Sequence, residues 1–257
     1  MFQNSQNHSY SKETQRKLAS RFNGGHSHNQ GEVRPGTNKN ILFRFNGVSV
    51  DYGNLRALDN IHLIIEKSEV VFITGRSGAG KTTLLKVISG VVEPNEGSVE
   101  KNLQWGSRPL FLSQVFQDLR LINKKTIYQN LMLVFDPKIF GTKDKFLDDL
   151  HELARLLGIQ DRLHLKVSDA NGGLVQKTAI IRALLGRPDI FIADEPSSSL
   201  DLENAQKIFD LLSLYNIKRG MTVIWASHNR DLVARFSGRI VHLDGGRIIH
   251  SGHACFI

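Results

Sequence analysis

Gly75-Arg76-Ser77-Gly78-Ala79-Gly80-Lys81-Thr82 constrains this 257-residue chain more than any other feature. The octapeptide satisfies G-x-x-x-x-G-K-[ST] and stands between the apolar run Val70–Thr74 and a helical segment from Gly80 to about Ser89. Only glycine-rich sequence lets successive backbone N–H groups curl into a concave anion site without Cβ collisions. The positive end of the following helix dipole faces the same anion. Lys81 adds a full charge at the β- and γ-phosphates, and the Thr82 hydroxyl is a ligand for Mg2+. The expectation is a P-loop for Mg-ATP, in an α/β domain whose first buried strand feeds that loop.

The pattern along the chain agrees with an open, largely parallel sheet. Ile41–Phe45 and Val48–Tyr52 read as strands around Asn46-Gly47, a hairpin signal, which puts an antiparallel edge at the N-terminal hairpin. Ile61–Ile65 and Val70–Thr74 are further strand candidates. Phe146, Leu150, Leu153 and Leu157 recur at helical spacing, and Gly158 can end that helix. Sheet character returns at Asp189–Ala193; a helix with Ala205, Ile208, Leu212 and Tyr215 on one face then leads to a strand at Thr222–Ala226. Arg239–Leu243 and Arg247–His250 flank Gly245-Gly246 as a closing hairpin. The expected division is a basic disordered tail over 1–39, a folded domain over 40–257, and a helical subdomain inserted at 118–175.

Net charge +8 raises the question of nucleic acid, but its distribution argues against it. Half the excess sits in residues 1–40, where Lys12, Arg16, Lys17, Arg21, Arg34 and Lys39 oppose Glu13 and Glu32. That segment is rich in Asn, Gln, Ser, Gly and His, so it reads either as a solvated tail or as a basic arm for acidic lipid or a partner. A DNA-associated ATPase would need a coiled-coil or zinc insert, and the sequence has neither. No apolar run approaches the roughly 18 residues that cross a bilayer. Cys255, the single cysteine, fits a reducing compartment. The expectation is a cytoplasmic protein, peripheral to the inner face of the membrane at most.

Asp189-Ile190-Phe191-Ile192-Ala193-Asp194-Glu195 is an apolar strand ending in two carboxylates, which lie where open α/β sheets bind ligands. Asp194 would hold Mg2+ through its water shell, and Glu195 would orient or deprotonate the attacking water. Alone the pattern is weak; beside a P-loop it is strong. His228, after Thr222–Ala226, points into the same crevice, though a lone histidine at a strand end is more often structural. Gln117 would mean nothing in isolation.

Taken together, residues 41–250 resemble the nucleotide-binding domain of the ABC ATPases. The order is Tyr52 where the adenine-stacking aromatic is expected, the P-loop, Gln117, a helical subdomain, a Gly-Gly signature at Asn171-Gly172-Gly173, Asp194-Glu195, Ser199-Leu200-Asp201 and His228. The resemblance implies a P-loop NTPase core with an antiparallel β edge and an inserted helical subdomain. It also implies roles: Thr83 joins residues 75–82 around the phosphates, and Gln117 couples Mg2+ and the attacking water to the helical subdomain. His228 holds the γ-phosphate and Glu195, and Asp201 lies at a dimer seam. Two copies would sandwich ATP, with Asn171-Gly172-Gly173 acting in trans.

Within the family, Phe72–Lys86, Val115–Ile122 and Thr126–Asn130 are similar to the cell-division branch, FtsE. That likeness implies an FtsX-like membrane partner and force passed across the membrane. The alternatives are the energy subunit of a lipoprotein, lipid or drug exporter, and a poorly hydrolysing ATP-dependent switch. One departure bears on the last. The family signature is usually Leu-Ser-Gly-Gly followed by Gln or Glu, and this chain has Ala170-Asn171-Gly172-Gly173-Leu174, then Val175-Gln176-Lys177 in place of a polar pair and Arg. Asn171 replaces the hydroxyl that would reach the γ-phosphate. Either its bulkier amide makes that contact less well, or it faces away and caps the helix.

Overall fold

The computed structural model describes residues 40–229 and 233–253, so the tail expected over residues 1–39 lies outside the described residues. Two long antiparallel strands, β1 (Ile41–Tyr52) and β2 (Leu55–Glu66), come first. β3 (Val70–Thr74) leads through the P-loop into α1 (Lys81–Ile88). β4 (Glu96–Lys101) follows, then a small ribbon of β5 (Gln104–Trp105) with β6 (Arg108–Pro109), and then β7 (Leu112–Val115). Next come helices α2 (Ile127–Met132), α3 (Pro137–Phe140), α4 (Lys143–Leu156) and α5 (Gly172–Leu185). The remainder is β8 (Ile190–Asp194), α6 (Leu202–Arg219), β9 (Thr222–Ser227) and the hairpin of β10 (Arg239–Asp244) with β11 (Arg247–His253).

The main sheet has the order β11-β10-β3-β9-β8-β7, with every pairing parallel except β10–β11. β8 and β9 are buried at every residue, which is why they read as unbroken apolar runs. The antiparallel edge is therefore β11. The N-terminal hairpin instead builds a second sheet, β2-β1-β4. Asn46-Gly47 is not its turn. β1 runs straight through that dipeptide, and the chain reverses at Gly53-Asn54. Gly47, at φ 63°, sits where β1 shifts register against both partners, so it forms a bulge rather than a reversal. A hairpin turn there would have removed Val48–Tyr52 from the strand that β2 and β4 pair with on either side.

One apolar core joins the two sheets through α1: Phe43, Phe45 and Leu63 pack with Leu84, Leu85 and Ile88 and with Ile73, Ile192 and Ile224. A second cluster is aromatic, with the Phe209 and Phe236 rings stacked at 3.7 Å and Phe72 at 5.5 Å from Phe209. This fixes α6 on the sheet through the Ala205, Ile208, Leu212 and Tyr215 face, all four buried. In the helical stretch, Phe146, Leu150, Leu153 and Leu157 are buried as their spacing requires, and Gly158 follows α4 at φ 67°.

The start of α2 is built by its own side chains. Thr126 and Gln129 form a capping box, and fully buried Asn130 ties down the preceding loop. Its amide accepts the Ile122 N–H at 2.8 Å and donates to the Ile122 and Thr126 carbonyls at 3.1 and 3.0 Å. Asn130→Ala is expected to lower stability by about 2–3 kcal/mol, because buried backbone groups lose their partners. Urea denaturation measures this; a loss under about 1 kcal/mol would show that water replaces the amide.

Candidate active site

The parallel strands bring four loops to one edge of the sheet. Thr74 pairs with Ser227, Asp194 with Ala226, and Val115 with Ala193. The P-loop, Glu195, His228 and the turn holding Gln117 therefore begin side by side at the strands' carboxyl ends. That is the ligand crevice of an open α/β sheet.

The P-loop is held from two sides. A Cβ at Gly80, at φ 102°, would lie 2.6 Å from the Ala57 carbonyl of β2, and one at Gly75 would collide with the Leu243 carbonyl of β10. These two glycines are required by close backbone approach as well as by phosphate. The turn at Gly245-Gly246 closes the clamp, with the Gly246 N–H donating to the Ala79 carbonyl at 3.2 Å and the Gly246 carbonyl accepting Asp59 N–H at 2.9 Å. The first intrahelical bond of α1 runs from Leu84 N–H to the Gly80 carbonyl. The N–H groups of Lys81, Thr82 and Thr83 thus have no intrahelical acceptor and, with the helix dipole, favour an anion. The Thr83 side chain itself is buried in the domain, while residue 82 is exposed to the crevice. Arg76, Ser77 and Gly78 form the exposed tip of the loop.

Lys81 is buried, and its ammonium donates to the Gly75 and Arg76 carbonyls at 2.9 and 3.0 Å. It also lies 3.5 Å from Glu195 Oε1. The other carboxylate oxygen of Glu195 meets His228 Nδ1 at 2.8 Å and His228 N–H at 3.3 Å. A carboxylate only accepts, so Nδ1 carries the proton in this contact and Nε2 is left for another partner. Glu195 itself has a left-handed backbone at φ 50°, a conformation costly for a residue with Cβ and kept only where surroundings impose it.

Asp194 Oδ2 accepts the Thr82 hydroxyl at 2.7 Å. Its other oxygen, Oδ1, is buried with no hydrogen-bond partner among the described residues. Burial pushes the Asp194 carboxyl above its usual range, with the Thr82 hydroxyl opposing that and Glu195 adding to it. An orphaned, dehydrated carboxylate oxygen beside a hydroxyl suits a hard divalent cation, so the pair fits Mg2+. Thr82 and Asp194 would hold the ion directly or through water. It would neutralise charge on the phosphates.

Tyr52, Gln117 and the signature are the remaining expected residues. Tyr52 is half exposed at the end of β1. Gln117 is exposed in the turn after β7. Asn171, Gly172 and Gly173 line a separate cavity of about 400 Å³ with Ser199, Leu200, Asp201 and Lys177. Asn171 caps α5, its side-chain oxygen accepting Leu174 N–H at 2.9 Å, so the capping role weighed for it is present. Both glycines pack on the next loop: a Cβ at Gly172 would lie 3.2 Å from Ser199 Cβ, and one at Gly173 3.2 Å from the Ser199 carbonyl. Asp201 caps α6, and the Asn204 N–H it accepts holds its carboxyl below the usual range.

Residues 58–198, more than half of the chain, match the model of the ABC transporter family. The chain belongs to the ABC transporter family. The methionine import ATP-binding protein MetN of Lactobacillus johnsonii is 32% identical over 219 residues, covering 80% of this chain and 62% of that protein. MetN of Rhizobium johnstonii is 33% identical over 223 residues, covering 82% and 60%. The chain thus spans about three fifths of the length of these curated relatives. Among solved structures, the dimeric bacterial ABC transporter cassette MJ0796 superposes with a TM-score of 0.72 at 29% identity, covering 84% of this chain and all of that one. The same cassette in a dimeric post-hydrolysis state with ADP and Pi gives 0.70 at 28% identity, with the same coverage. These two relatives are named for methionine import and not for cell division, so they lend no support to the FtsE branch.

As an ABC cassette, the chain uses two parts that the sequence did not mark out. The Gly245-Gly246 turn read only as a hairpin, yet it buttresses the P-loop. Gln176 read only as part of a departure from the usual signature, yet it is buried against the Glu195 backbone.

Proposed function

We propose that this cassette hydrolyses Mg-ATP as a homodimer on the cytoplasmic face of a membrane, and that it drives an integral membrane partner. The observation that carries the reading is Glu195 held between Lys81 and His228, next to the Thr82–Asp194 pair. In this reading the carboxylate takes a proton from water at the point where the P-loop amides gather a γ-phosphate. The signature lies apart from that point in its own chain, and MJ0796 is a dimeric cassette, which supports an arrangement with Asn171-Gly172-Gly173 acting in trans. Among the described residues no helix is long and apolar enough to cross a membrane, in keeping with a separate partner.

For the partner, the names of the relatives favour an import permease for a small molecule such as methionine. A second reading, an FtsX-like partner and mechanical signalling, rests on the similarity of Val115–Ile122 to the cell-division branch. The tagged protein, purified from detergent-solubilised membranes, is expected to bring down a polytopic membrane protein that stimulates ATP turnover. Further stimulation by methionine would favour import, and none would favour signalling. Absence of both a membrane protein and turnover would contradict the proposal.

Asn171 sets the basal rate in this reading. Its capping oxygen leaves the amide nitrogen as the donor toward a partner's γ-phosphate, farther from the backbone than a serine hydroxyl. Asn171→Ser keeps a good N-cap, so stability should change by only a few tenths of a kcal/mol. Turnover should rise about fivefold, the worth of about 1 kcal/mol in one improved charged hydrogen bond, with monomer affinity unchanged. Equal turnover in confirmed dimers would reduce Asn171 to a cap.

A further inference from the structure

Gln176 is an uncharged side chain on the second turn of α5, yet it is only 2% exposed. Both ends of its amide engage the loop between β8 and α6. Nε2 donates to the Glu195 carbonyl at 3.1 Å, and Oε1 accepts Ser199 N–H at 3.2 Å. Glu195 is the non-glycine residue with left-handed backbone at the centre of the site. Such a conformation persists only if neighbouring groups fix it. Its N–H is held by the Ala226 carbonyl of β9 at 3.0 Å, and Ser198 N–H shares its carbonyl with Gln176 at 3.1 Å. Of these holds, Gln176 is the one that comes from outside the parallel sheet and its loops. It comes from the helix whose first residues are the signature.

We infer that Gln176 is a positioning residue that sets the backbone of the catalytic Glu195 from the signature helix of the same chain. The inference rests on the hydrolytic reading above. The amide is two-ended, so α5 cannot shift relative to β8 without disturbing both the Glu195 carbonyl and the Ser199 N–H. Ser199 also packs on Gly172 and Gly173. A change at the signature is therefore transmitted to the glutamate over a path of two hydrogen bonds. The glutamate carboxylate, which meets Lys81 and His228, moves with that backbone. Leucine at 176 would fill the same space and remove both bonds from α5 to this loop.

The test uses the full chain with Gln176→Leu, which removes both bonds, and Gln176→Glu, which keeps the acceptor for Ser199 N–H but loses the donor to Glu195. Each is measured alone and combined with Glu195→Gln. Both single variants should lower kcat about tenfold with KM for Mg-ATP near that of the parent, and both should lower the melting temperature, Gln176→Glu the more because it buries a carboxylate. In the Glu195→Gln background either change should add little, because Gln176 acts through Glu195. Amide exchange at Ser199 should accelerate in Gln176→Leu and stay slow in Gln176→Glu, a readout independent of turnover. Multiplying losses in the double variants, or slow Ser199 exchange in Gln176→Leu, would overturn the inference. A rise in KM for Mg-ATP as large as the fall in kcat would do so too, since that marks a general disturbance of the nucleotide site. A parent that turns over no ATP would contradict the hydrolytic reading instead, and the exchange measurement would still decide whether Gln176 holds the loop.

Discussion

Glu195→Gln is expected to lower steady-state ATP turnover by about two orders of magnitude or more while ATP remains bound. Glutamine keeps the size of the side chain and a carbonyl that His228 can bond, so the left-handed backbone and the loop should survive. It cannot accept the proton of an attacking water. It also places an amide where Lys81 Nζ now faces a carboxylate at 3.5 Å, so the contact with Lys81 loses its charge. Chemistry stops and binding does not. Turnover within a few-fold of the parent would remove Glu195 from the mechanism.

Lys81→Ala should weaken Mg-ATP binding by about a hundredfold, on the order of 3 kcal/mol, with the fold retained. The ammonium is held in place by the Gly75 and Arg76 carbonyls, so little conformational freedom is lost when phosphate arrives. Alanine also strips Glu195 of its nearest cation, which adds repulsion between that half-buried carboxylate and the phosphates. The P-loop backbone and the start of α1 remain, so binding falls rather than vanishes. Isothermal titration at fixed ionic strength measures it. An unchanged Kd would show that Lys81 is a loop strut whose charge does not reach the nucleotide.

What was legible in the sequence follows from where the determinants lie. The P-loop, Asp194-Glu195 and His228 are short motifs at strand ends, and the strands themselves announce their burial by composition. Their convergence needed only the rule that parallel strands present carboxyl ends together. Asn46-Gly47 misled because the same dipeptide serves a reversal and a bulge. What decides between them is β4, some 50 residues later, which claims the far side of β1. Gly245-Gly246 concealed its contact with the P-loop because close backbone approach leaves no trace beyond glycine. Gln176 was opaque because its partners lie 19 and 23 residues away in a loop with no pattern of its own.

The suggested cell-division branch has a similar explanation. Thr126, Gln129 and Asn130, part of that likeness, form a capping box and a buried loop anchor. They specify how α2 begins, which any cassette with this loop needs. They say little about any membrane partner, since a coupling surface is a matter of shape.

In the proposed cycle ATP joins two copies of this chain through a composite site. Light scattering on Glu195→Gln with and without Mg-ATP tests this, because that variant should bind the nucleotide without consuming it. The expected result is a monomer with ADP or no nucleotide, and with Mg-ATP a dimer that retains two ATP molecules and is lost when Lys81→Ala is combined with it. A variant that binds Mg-ATP tightly yet stays monomeric at concentrations well above Kd, with or without detergent-solubilised membrane partner, would contradict it.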